Sequence, residues 1–257
     1  GGVLGTVKLL LKLKSTSLPL LSEMVGGDIR TNNETIVSVS TLRDDLDMSK
    51  GVAIGSILNT DKDSHLEVVR YSKESGFWKL LHLPVSYGSN IVVRLWQMIL
   101  SFMKSPWSYV KIYWRNVWSK STVVLLFMQT LDSTLKFRLG SVGGLSSSVA
   151  QGKAPSPNIP ASNYLTKKFA EIIHGKPTSF ALETLSGIPS TAHVLGGAVM
   201  ASMPEKGVIN KDNEVFGYKN MLVVDGSMIS SNPGVNPSLT ITAIAERCMS
   251  QILEKNS

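Results

Sequence analysis

Cysteine is almost absent from this 257-residue sequence, in which Cys248 is the only one. A single cysteine excludes an internal disulfide framework and zinc sites of the multi-cysteine kind. Long uninterrupted apolar runs are also lacking. The longest candidate, IVVRLWQMILSFM, is too short for a membrane-spanning helix and contains an arginine. With 43% hydrophobic and 18% charged residues, the composition is that of a globular protein.

Acidic residues are missing from the whole interval between Glu74 and Asp132. The same interval contains every tryptophan of the chain: Trp78, Trp96, Trp107, Trp114 and Trp118. Amphipathic, aromatic and exclusively cationic segments are typical of peptides that lie in a bilayer interface, so residues 77–120 predict a peripheral membrane contact. The alternative is that the aromatic side chains form a core and the cations form the solvated face of ordinary helices. The sequence leaves both interpretations open.

The formal net charge of +7 favours an anionic partner. Nucleic acid is not expected to be that partner, because the sequence contains no recognisable nucleic-acid-binding module. An anionic membrane surface or an acidic ligand is compatible with the charge. The sequence does not fix a compartment, although we favour a cytoplasmic or peripheral-membrane location over secretion.

The chain begins in the middle of a motif. Its first residues, GGVLGTVKLLLKLK, indicate a glycine-rich turn that leads into a helix over about residues 6–14. Such a turn normally follows a buried strand, and that strand is missing. We therefore interpret the chain as a fragment of a longer protein.

The remaining pattern predicts an α+β fold with strands first and helices at the ends. Alternating or β-branched runs predict strands at 34–40, 51–58, 65–71, 121–129, 134–139 and 220–224. The runs 121–129 and 134–139 suggest a hairpin that turns at Asp132 and Ser133. Residues 140–160 are rich in Gly, Ser and Pro and predict a loop. Helices are predicted over 161–174 and from 238 to about 254.

The region from His193 to Arg247 contains the densest set of candidate site residues. The predicted strand at 220–224 ends at the turn Asp225-Gly226-Ser227, and NPGVNP then leads into the last helix. Asn236 and Pro237 suit the N-cap and first helical position. The start of a helix presents unpaired amides and a partial positive charge, which suits an anionic ligand atom. Each of these features alone has an ordinary structural interpretation.

Taken together, the spacing H-x-L-G-G…G-V-I…V-F-G-Y-x-N-x-x-V-V-D-G-S…G-V-N-P-S-L-T-I-T-A-x-A-E-R resembles the C-terminal motif of the glucose-methanol-choline (GMC) oxidoreductases. The resemblance is to the cholesterol-oxidase-like branch of that family. GVLGTVKLLLK, RTNNE and TVVLLFMQTLDSTLKFRL extend the similarity upstream. Coverage is weakest between about residues 77 and 118.

The resemblance implies a partial FAD-binding domain together with a substrate domain that has a mostly antiparallel sheet covered by helices. The corresponding division assigns 1–34 to the FAD-binding domain, 35–185 to the substrate domain and 186–257 to the return into the FAD-binding domain. The implied reaction is FAD-dependent oxidation of a hydrophobic alcohol, with a 3-hydroxysteroid such as cholesterol as the leading substrate. Long-chain or terpenoid alcohols and a non-catalytic lipid- or membrane-binding remnant are the alternatives.

Residue by residue, His193 matches the family's histidine, which contacts the substrate hydroxyl and can take its proton. Asn236 matches the asparagine near the flavin edge. Asp225 and Gly226 match the turn that meets the ribityl or diphosphate part of FAD. Pro237 and Ser238 open the helix whose N-terminus would stabilise negative charge on the flavin.

Two departures from the family pattern affect these expectations. The dinucleotide fingerprint G-x-G-x-x-G is absent, so the fragment alone is expected to bind FAD poorly and to be inactive. Some cholesterol oxidases also carry a glutamate in a substrate-domain loop, whereas this sequence has no acidic residue from 75 to 131. Either His193 alone handles the proton, or the substrate and any coupled isomerisation differ.

Overall fold

A computed structural model describes residues 2–73, 75–87, 90–131, 133–141, 143–156 and 158–255. The helices are α1 (Val3–Lys14), α2 (Ile91–Lys104), α3 (Pro106–Trp114), α4 (Trp118–Ser121), α5 (Pro160–Ile172), α6 (Ala181–Ser186) and α7 (Ser238–Lys255), with 3₁₀ helices at Ser75–Leu81 and Gly226–Met228. The strands are β1 (Arg30–Thr31), β2 (Thr35–Thr41), β3 (Ile54–Asn59), β4 (Ser64–Val69), β5 (His82–Pro84), β6 (Thr122–Gln129), β7 (Thr134–Leu139), β8 (Leu145–Gln151), β9 (Gly175–Phe180) and β10 (Val194–Leu195).

The chain divides into two compact units. Unit 1 comprises Gly1–Asn32, Thr130–Ala154 and Ala192–Ser257, and unit 2 comprises Asn33–Gln129 and Pro155–Thr191. The structural division differs from the sequence-based one at Thr130–Ala154, which groups with the chain ends. The reason is local packing: Leu135 bridges to Ile29, and Phe137 joins an apolar cluster with Val3 and Val7.

Unit 2 is built on a six-stranded antiparallel sheet in the order β3-β4-β6-β2-β9-β5. The apolar run of β6 lies at the centre, where Leu125 pairs with Val37 of β2 and Phe127 pairs with Leu66 of β4. Helix α5 covers β2 and β9. The predicted combination of helices with a mostly antiparallel sheet is therefore confirmed.

The predicted hairpin between 121–129 and 134–139 is wrong. Strand β6 has β2 and β4 as neighbours, whereas β7 pairs with β8. Because β6 is buried along nearly its whole length, it needs a strand on each side, and both come from elsewhere in the sequence. Asp132, the predicted turn residue, lies outside the described residues.

Two further predictions are corrected. Residues 140–160 are not all loop, since β8 pairs with β7 as far as Gln151 opposite Thr134. The predicted strand at 220–224 is reduced to an isolated bridge between Leu222 and Glu214. In both places ladder pairing, rather than residue preference, decides the local structure.

Unit 1 has short strands and packs mainly around loops. β1 pairs with β10, and β7 pairs with β8. Its main apolar cluster includes Leu10 of α1, Leu195 of β10, Val223 and Met228, with Ile241 of α7 packed against them. These side chains fix the loops that carry the predicted site residues.

Residues 77–120 form the second half of one 3₁₀ helix, strand β5, helices α2 and α3, and most of α4. Tyr109, Ile112 and Trp118 are buried in unit 2, whereas Trp96, Trp107 and Trp114 are exposed. The aromatic side chains of the segment are thus divided between the interior of unit 2 and its surface, and the membrane contact stays a prediction. Within the described part of the chain, each helix is too short or too polar to cross a membrane.

Candidate functional site

His193 stands directly before strand β10 and is half-buried. The antiparallel pairing places Val194 opposite Thr31 and Leu195 opposite Arg30. A two-residue strand supplies few ladder bonds, so the position of His193 depends on what holds the segment after it.

The segment after His193 is fixed by a second set of backbone bonds. The Gly196 N–H donates to the Gly226 carbonyl at 3.0 Å, and the Ala198 N–H donates to the Ser227 carbonyl at 2.9 Å. The segment is therefore held by β1 and by the turn that contains Gly226 and Ser227. The structure brings two of the predicted site segments, HVLGGA and DGS, into direct contact.

Gly196 and Gly197 make this close approach possible. Gly196 has φ +81, and a Cβ there would stand 2.0 Å from the Asp28 carbonyl oxygen. Gly197 has φ +95, and its Cβ would stand 2.5 Å from Val7 Cγ2. Other residues would be strained at both positions and would collide with their neighbours. The GG pair of the motif indicates such a close approach in the sequence. The sequence alone does not show which residues lie against the two glycines.

Asp225 connects this turn to the first helix. Its Oδ1 accepts from the Ser227 N–H at 2.8 Å and from Ser227 Oγ at 2.6 Å. Its Oδ2 accepts from the Gly2 N–H at 3.0 Å and from Thr6 Oγ1. Burial opposes ionisation, but the bonds from Ser227, Thr6 and Gly2 outweigh it and lower the pKa of Asp225.

These four bonds occupy the acceptor capacity of the Asp225 carboxylate. The sequence suggested that Asp225 would accept hydrogen bonds from a polyol. In the structure the carboxylate bonds to the chain itself and holds the glycine-rich start of α1 to the DGS turn. Gly226 is buried, and a Cβ there would stand 3.0 Å from Val3 Cγ2 and 3.3 Å from Leu195 Cδ2. Contact of Asp225 and Gly226 with a cofactor remains a prediction.

Asn236 lies in the loop that leads into α7 and is half-buried. Asn232 Nδ2 donates to the Thr31 carbonyl at 3.3 Å, and Asn232 Oδ1 accepts from the Gly234 N–H at 2.9 Å. The loop is therefore tied to Thr31, the residue that lies opposite Val194. The segments that carry His193 and Asn236 share this one anchor in unit 1.

Helix α7 begins at Ser238, as the sequence predicted, and Pro237 stands directly before it. The Ile241 N–H donates to the Pro237 carbonyl at 2.9 Å, which closes the first turn. Ser238 is exposed and Pro237 is buried, and the first turn contains no acidic residue. The N-terminal end of α7 thus keeps its partial positive charge.

Arg247 explains a part of the motif for which the sequence suggested no role. Its guanidinium donates to Asn213 Oδ1 at 3.0 Å and to the Lys211 carbonyl. Asn213 is fully buried and makes two hydrogen bonds with Val223. Its backbone carbonyl accepts from the Val223 N–H at 3.0 Å, and its Nδ2 donates to the Val223 carbonyl at 2.9 Å. Through Asn213, Arg247 therefore helps to fix Val223, which lies two residues before Asp225.

Unit 2 contains a small polar cavity that the sequence did not indicate. It measures about 30 Å³, room for a few water molecules. Glu183 lines it and is 5% exposed, accepting from the Ser190 N–H at 3.1 Å and from Thr35 Oγ1 at 3.4 Å. Burial raises the pKa of Glu183 to about 7, and these hydrogen bonds offset the effect only in part.

In chemical terms, the described site of unit 1 offers an imidazole, a carboxamide, a serine hydroxyl and a helix N-terminus. Within this described set the carboxylate of Asp225 is bonded to the chain itself, and the other groups bring no negative charge. Such a set suits a substrate hydroxyl and a neighbouring group that gains negative charge.

Comparison with known proteins adds a family context. Residues 160–245 match a family model described as GMC oxidoreductase. The chain is 40% identical over 260 residues to a cholesterol oxidase of Acinetobacter baumannii. This alignment covers 99% of the chain and 46% of the relative. Identity is also 40% over 260 residues to a cholesterol oxidase of Mycobacterium tuberculosis, with 97% of this chain and 45% of the relative covered.

A shorter match concerns a different alcohol-oxidising protein. Over 59 residues, or 23% of this chain and 11% of the relative, the chain is 39% identical to a 2-methyl-1,2-propanediol dehydrogenase of Mycolicibacterium austroafricanum. The chain spans about half the length of the cholesterol oxidases that it matches.

Proposed function

We propose that the protein containing this chain is a GMC oxidoreductase that oxidises a hydrophobic alcohol with FAD as its cofactor. A 3-hydroxysteroid such as cholesterol is the proposed substrate, because the relatives that match nearly the whole chain are named cholesterol oxidases. Such a substrate resides in bilayers, so a peripheral membrane contact through residues 77–120 belongs to the same proposal.

One observation supports the proposal most strongly. The backbone bonds around Thr31, Gly226 and Ser227 gather the segments of His193 and Asn236 in one unit, although the two residues are far apart in the sequence. Segments of the motif that resembles the family are thus bonded to common neighbours within unit 1.

The residues of this cluster fit a flavin by the chemistry of their donors. When bound, FAD supplies the acceptor for the hydride that leaves the alcohol carbon. Asn236, Ser238 and the N-terminus of α7 are the groups that would face the flavin edge, and they bring no negative charge of their own. A set of this kind suits a ring that becomes anionic on reduction.

In the proposed reaction His193 binds the substrate hydroxyl and takes its proton. An imidazole suits this role because its ordinary pKa lies near neutrality. Asn236 orients the same oxygen through its carboxamide. Glu183 is the buried acidic residue nearest to His193 in the sequence. Its carboxyl group accepts hydrogen bonds from Ser190 and Thr35, and we assign it no part in the proton transfer.

The test uses the full-length protein with its flavin bound. Anaerobic mixing with cholesterol should bleach the flavin, and the rate of bleaching should be compared with those for a long-chain and a terpenoid alcohol. His193→Ala should lower the rate of flavin reduction by roughly 10²–10⁴-fold while flavin stays bound. His174→Ala serves as the matched control, since His174 is an exposed histidine of unit 2.

Each part of the proposal can fail separately. Bleaching by a long-chain or terpenoid alcohol but by no sterol would replace the steroid with another alcohol. Unchanged reduction kinetics in His193→Ala would make the histidine structural. A full-length protein that binds no flavin would support the non-catalytic remnant instead.

A further inference from the structure

Helix α2 turns its polar side toward the rest of unit 2. Arg94 Nε donates to the Thr184 carbonyl at 2.7 Å, and Gln97 Oε1 accepts from the Tyr87 N–H at 2.8 Å. Helices at the surface of a globular domain normally do the reverse and bury their apolar side. The orientation of α2 is thus fixed by polar contacts on its inner side.

The opposite side of α2 is apolar and faces solvent. Val92 is 72% exposed, Trp96 61%, Ile99 46% and Met103 68%, and their spacing of four, three and four residues places them on one face. None of the described residues of α2 is buried. A row of this kind on a helix surface has no role in the core of unit 2.

Helix α3 continues the same pattern with a firm attachment to the unit. Tyr109 and Ile112 are buried and anchor it, whereas Trp107 is 76% exposed and Trp114 is 83% exposed. The two tryptophans are seven residues apart and share a face of the helix with the exposed Lys111. Amphipathic aromatic rings with a lysine between them suit the boundary of water and lipid.

Cations accompany these apolar faces. Lys104, Lys167 and Lys176 line an open groove of about 420 Å³ beside α2 and α3, together with Ser101 and Ser105. Lys176 Nζ donates to Ser105 Oγ at 2.9 Å. The groove combines positive charge with hydroxyl donors, which is the chemistry that binds a phosphate group.

Not every cation of the segment is available to a ligand. Arg115 pairs with Asp44 at 2.6 Å, and Lys120 lies near Asp47, which reduces the net charge at that end. The cations outside these pairs include the three groove lysines, which lie beside α2 and α3, and Lys111 on the exposed face of α3.

We propose that the exposed faces of α2 and α3, with the groove lysines, form a docking surface for an anionic phospholipid bilayer. The tryptophans and aliphatic side chains enter the headgroup boundary, and the lysines contact the lipid phosphates. Charge complementarity selects the bilayer as occupant, because a row of apolar side chains flanked by lysines matches anionic lipid. This surface rests on the membrane contact of the proposed function and makes it specific, but its evidence is the geometry of unit 2 and not the flavin chemistry.

The test measures co-sedimentation of the full-length protein with vesicles of phosphatidylcholine, with and without phosphatidylserine. Binding should require the anionic lipid. It should fall by roughly tenfold or more between about 0.05 and 0.5 M salt, because salt screens the attraction between the lysines and the lipid phosphates. Brominated acyl chains should quench part of the tryptophan fluorescence. Trp118, 2% exposed, provides an unquenched internal reference.

Two variants separate the apolar and cationic contributions. Trp96→Ser/Trp107→Ser should reduce the quenching to the share contributed by Trp114. Lys104→Glu/Lys167→Glu should weaken vesicle binding by roughly tenfold or more, at about 1 kcal/mol per charge. Ile57→Ser and Lys62→Glu make the same kinds of change on the β3–β4 hairpin of unit 2. These two controls should bind like the unaltered protein.

Several results would overturn the proposal. Equal binding to both vesicle types, or equal losses in the hairpin controls, would remove the specific surface. Loss of self-association in Trp96→Ser/Trp107→Ser, without any vesicle binding by the unaltered protein, would make the face an interface between copies. Binding of inorganic phosphate without vesicle binding would reduce the groove to an anion site. Flavin reduction is measured in parallel, and its failure would concern the catalytic proposal alone.

Discussion

The segment around His193 and the α2–α3 surface differ in what they leave exposed. Around His193 there is little regular structure, yet Gly196, Ala198 and Asp225 are bonded to groups of their own unit. Helices α2 and α3 are regular, yet they keep Trp96, Trp107 and Trp114 in solvent. An irregular segment can thus be stable within its own unit once its backbone hydrogen bonds are satisfied. A regular helix with an exposed apolar face, by contrast, indicates a binding partner outside the unit.

The largest effect is expected from Gly196→Ala. The new Cβ would meet the Asp28 carbonyl oxygen at 2.0 Å in a backbone with φ +81, so the segment after His193 must move. We expect a loss of about 4 kcal/mol or more in the free energy of unfolding. Urea denaturation followed by near-UV circular dichroism measures it.

The matched control is Gly5→Ala within α1, where a Cβ meets nothing within 4 Å. Alanine should stabilise that helix by about 0.5–1 kcal/mol. Similar stabilities for the two variants would mean that the close approach behind His193 is not needed, and the contrast with α2–α3 would lose its basis.

The second prediction concerns Glu183, a buried polar group of unit 2. Its folded-state pKa is raised to about 7 by burial, above its ordinary value of 4.5. The folded protein therefore holds a proton that the unfolded chain releases, so the stability is fully present below pH 4.5 and is lost as the pH rises through 7. The loss amounts to about 3 kcal/mol.

Glu183→Gln should remove this pH dependence, which is measured by urea denaturation at several pH values between 4.5 and 8. Glu171→Gln, on the exposed side of α5, is the control and should follow the unaltered protein. If the free energy of unfolding changed equally with pH in Glu183→Gln and in the unaltered protein, the carboxyl would be ionised in the folded state over this pH range.

The sequence predicted the elements whose patterns are local. Periodicity located α5 and α7, and β-branched runs located β2, β3 and β4 within a few residues. The motif also identified the segments around His193 and Asn236 that Thr31 brings together. Patterns of this kind depend only on neighbours in the chain.

Long-range partners could not be predicted in the same way. The apolar run of β6 indicates burial but does not say which strands cover it, and the hairpin prediction failed on that point. Asp225 finds Thr6 at a separation of 219 residues. For α2, amphipathicity gives two faces, and only the bonds of Arg94 and Gln97 show which one is inside.

A smaller effect is expected from Asp225→Asn. The carboxamide keeps one acceptor oxygen and turns an N–H₂ group toward the Gly2 N–H and Thr6 or toward Ser227, so two bonds are lost. We expect a loss of about 2 kcal/mol in the free energy of unfolding at pH 7. Asp63→Asn, at an exposed site, should change it by less than about 0.5 kcal/mol.

The pH dependence gives a second readout for Asp225. Because its pKa is lowered in the folded state, its contribution is present above the ordinary value and is lost as the pH falls through the folded pKa. The difference between Asp225→Asn and the unaltered protein should therefore shrink in acid. A constant difference would mean that the charge of Asp225 does not matter.

The smallest effect is expected where the comparison is sharpest, at the exposed tryptophans. Trp107→Ser should alter the free energy of unfolding by less than about 0.5 kcal/mol, because the side chain is 76% exposed. Trp118→Ala, at a buried tryptophan four residues beyond the exposed Trp114, should cost about 3–5 kcal/mol. Urea denaturation without lipid measures both. Equal losses would place Trp107 in a core, and the α2–α3 surface would then need no external partner.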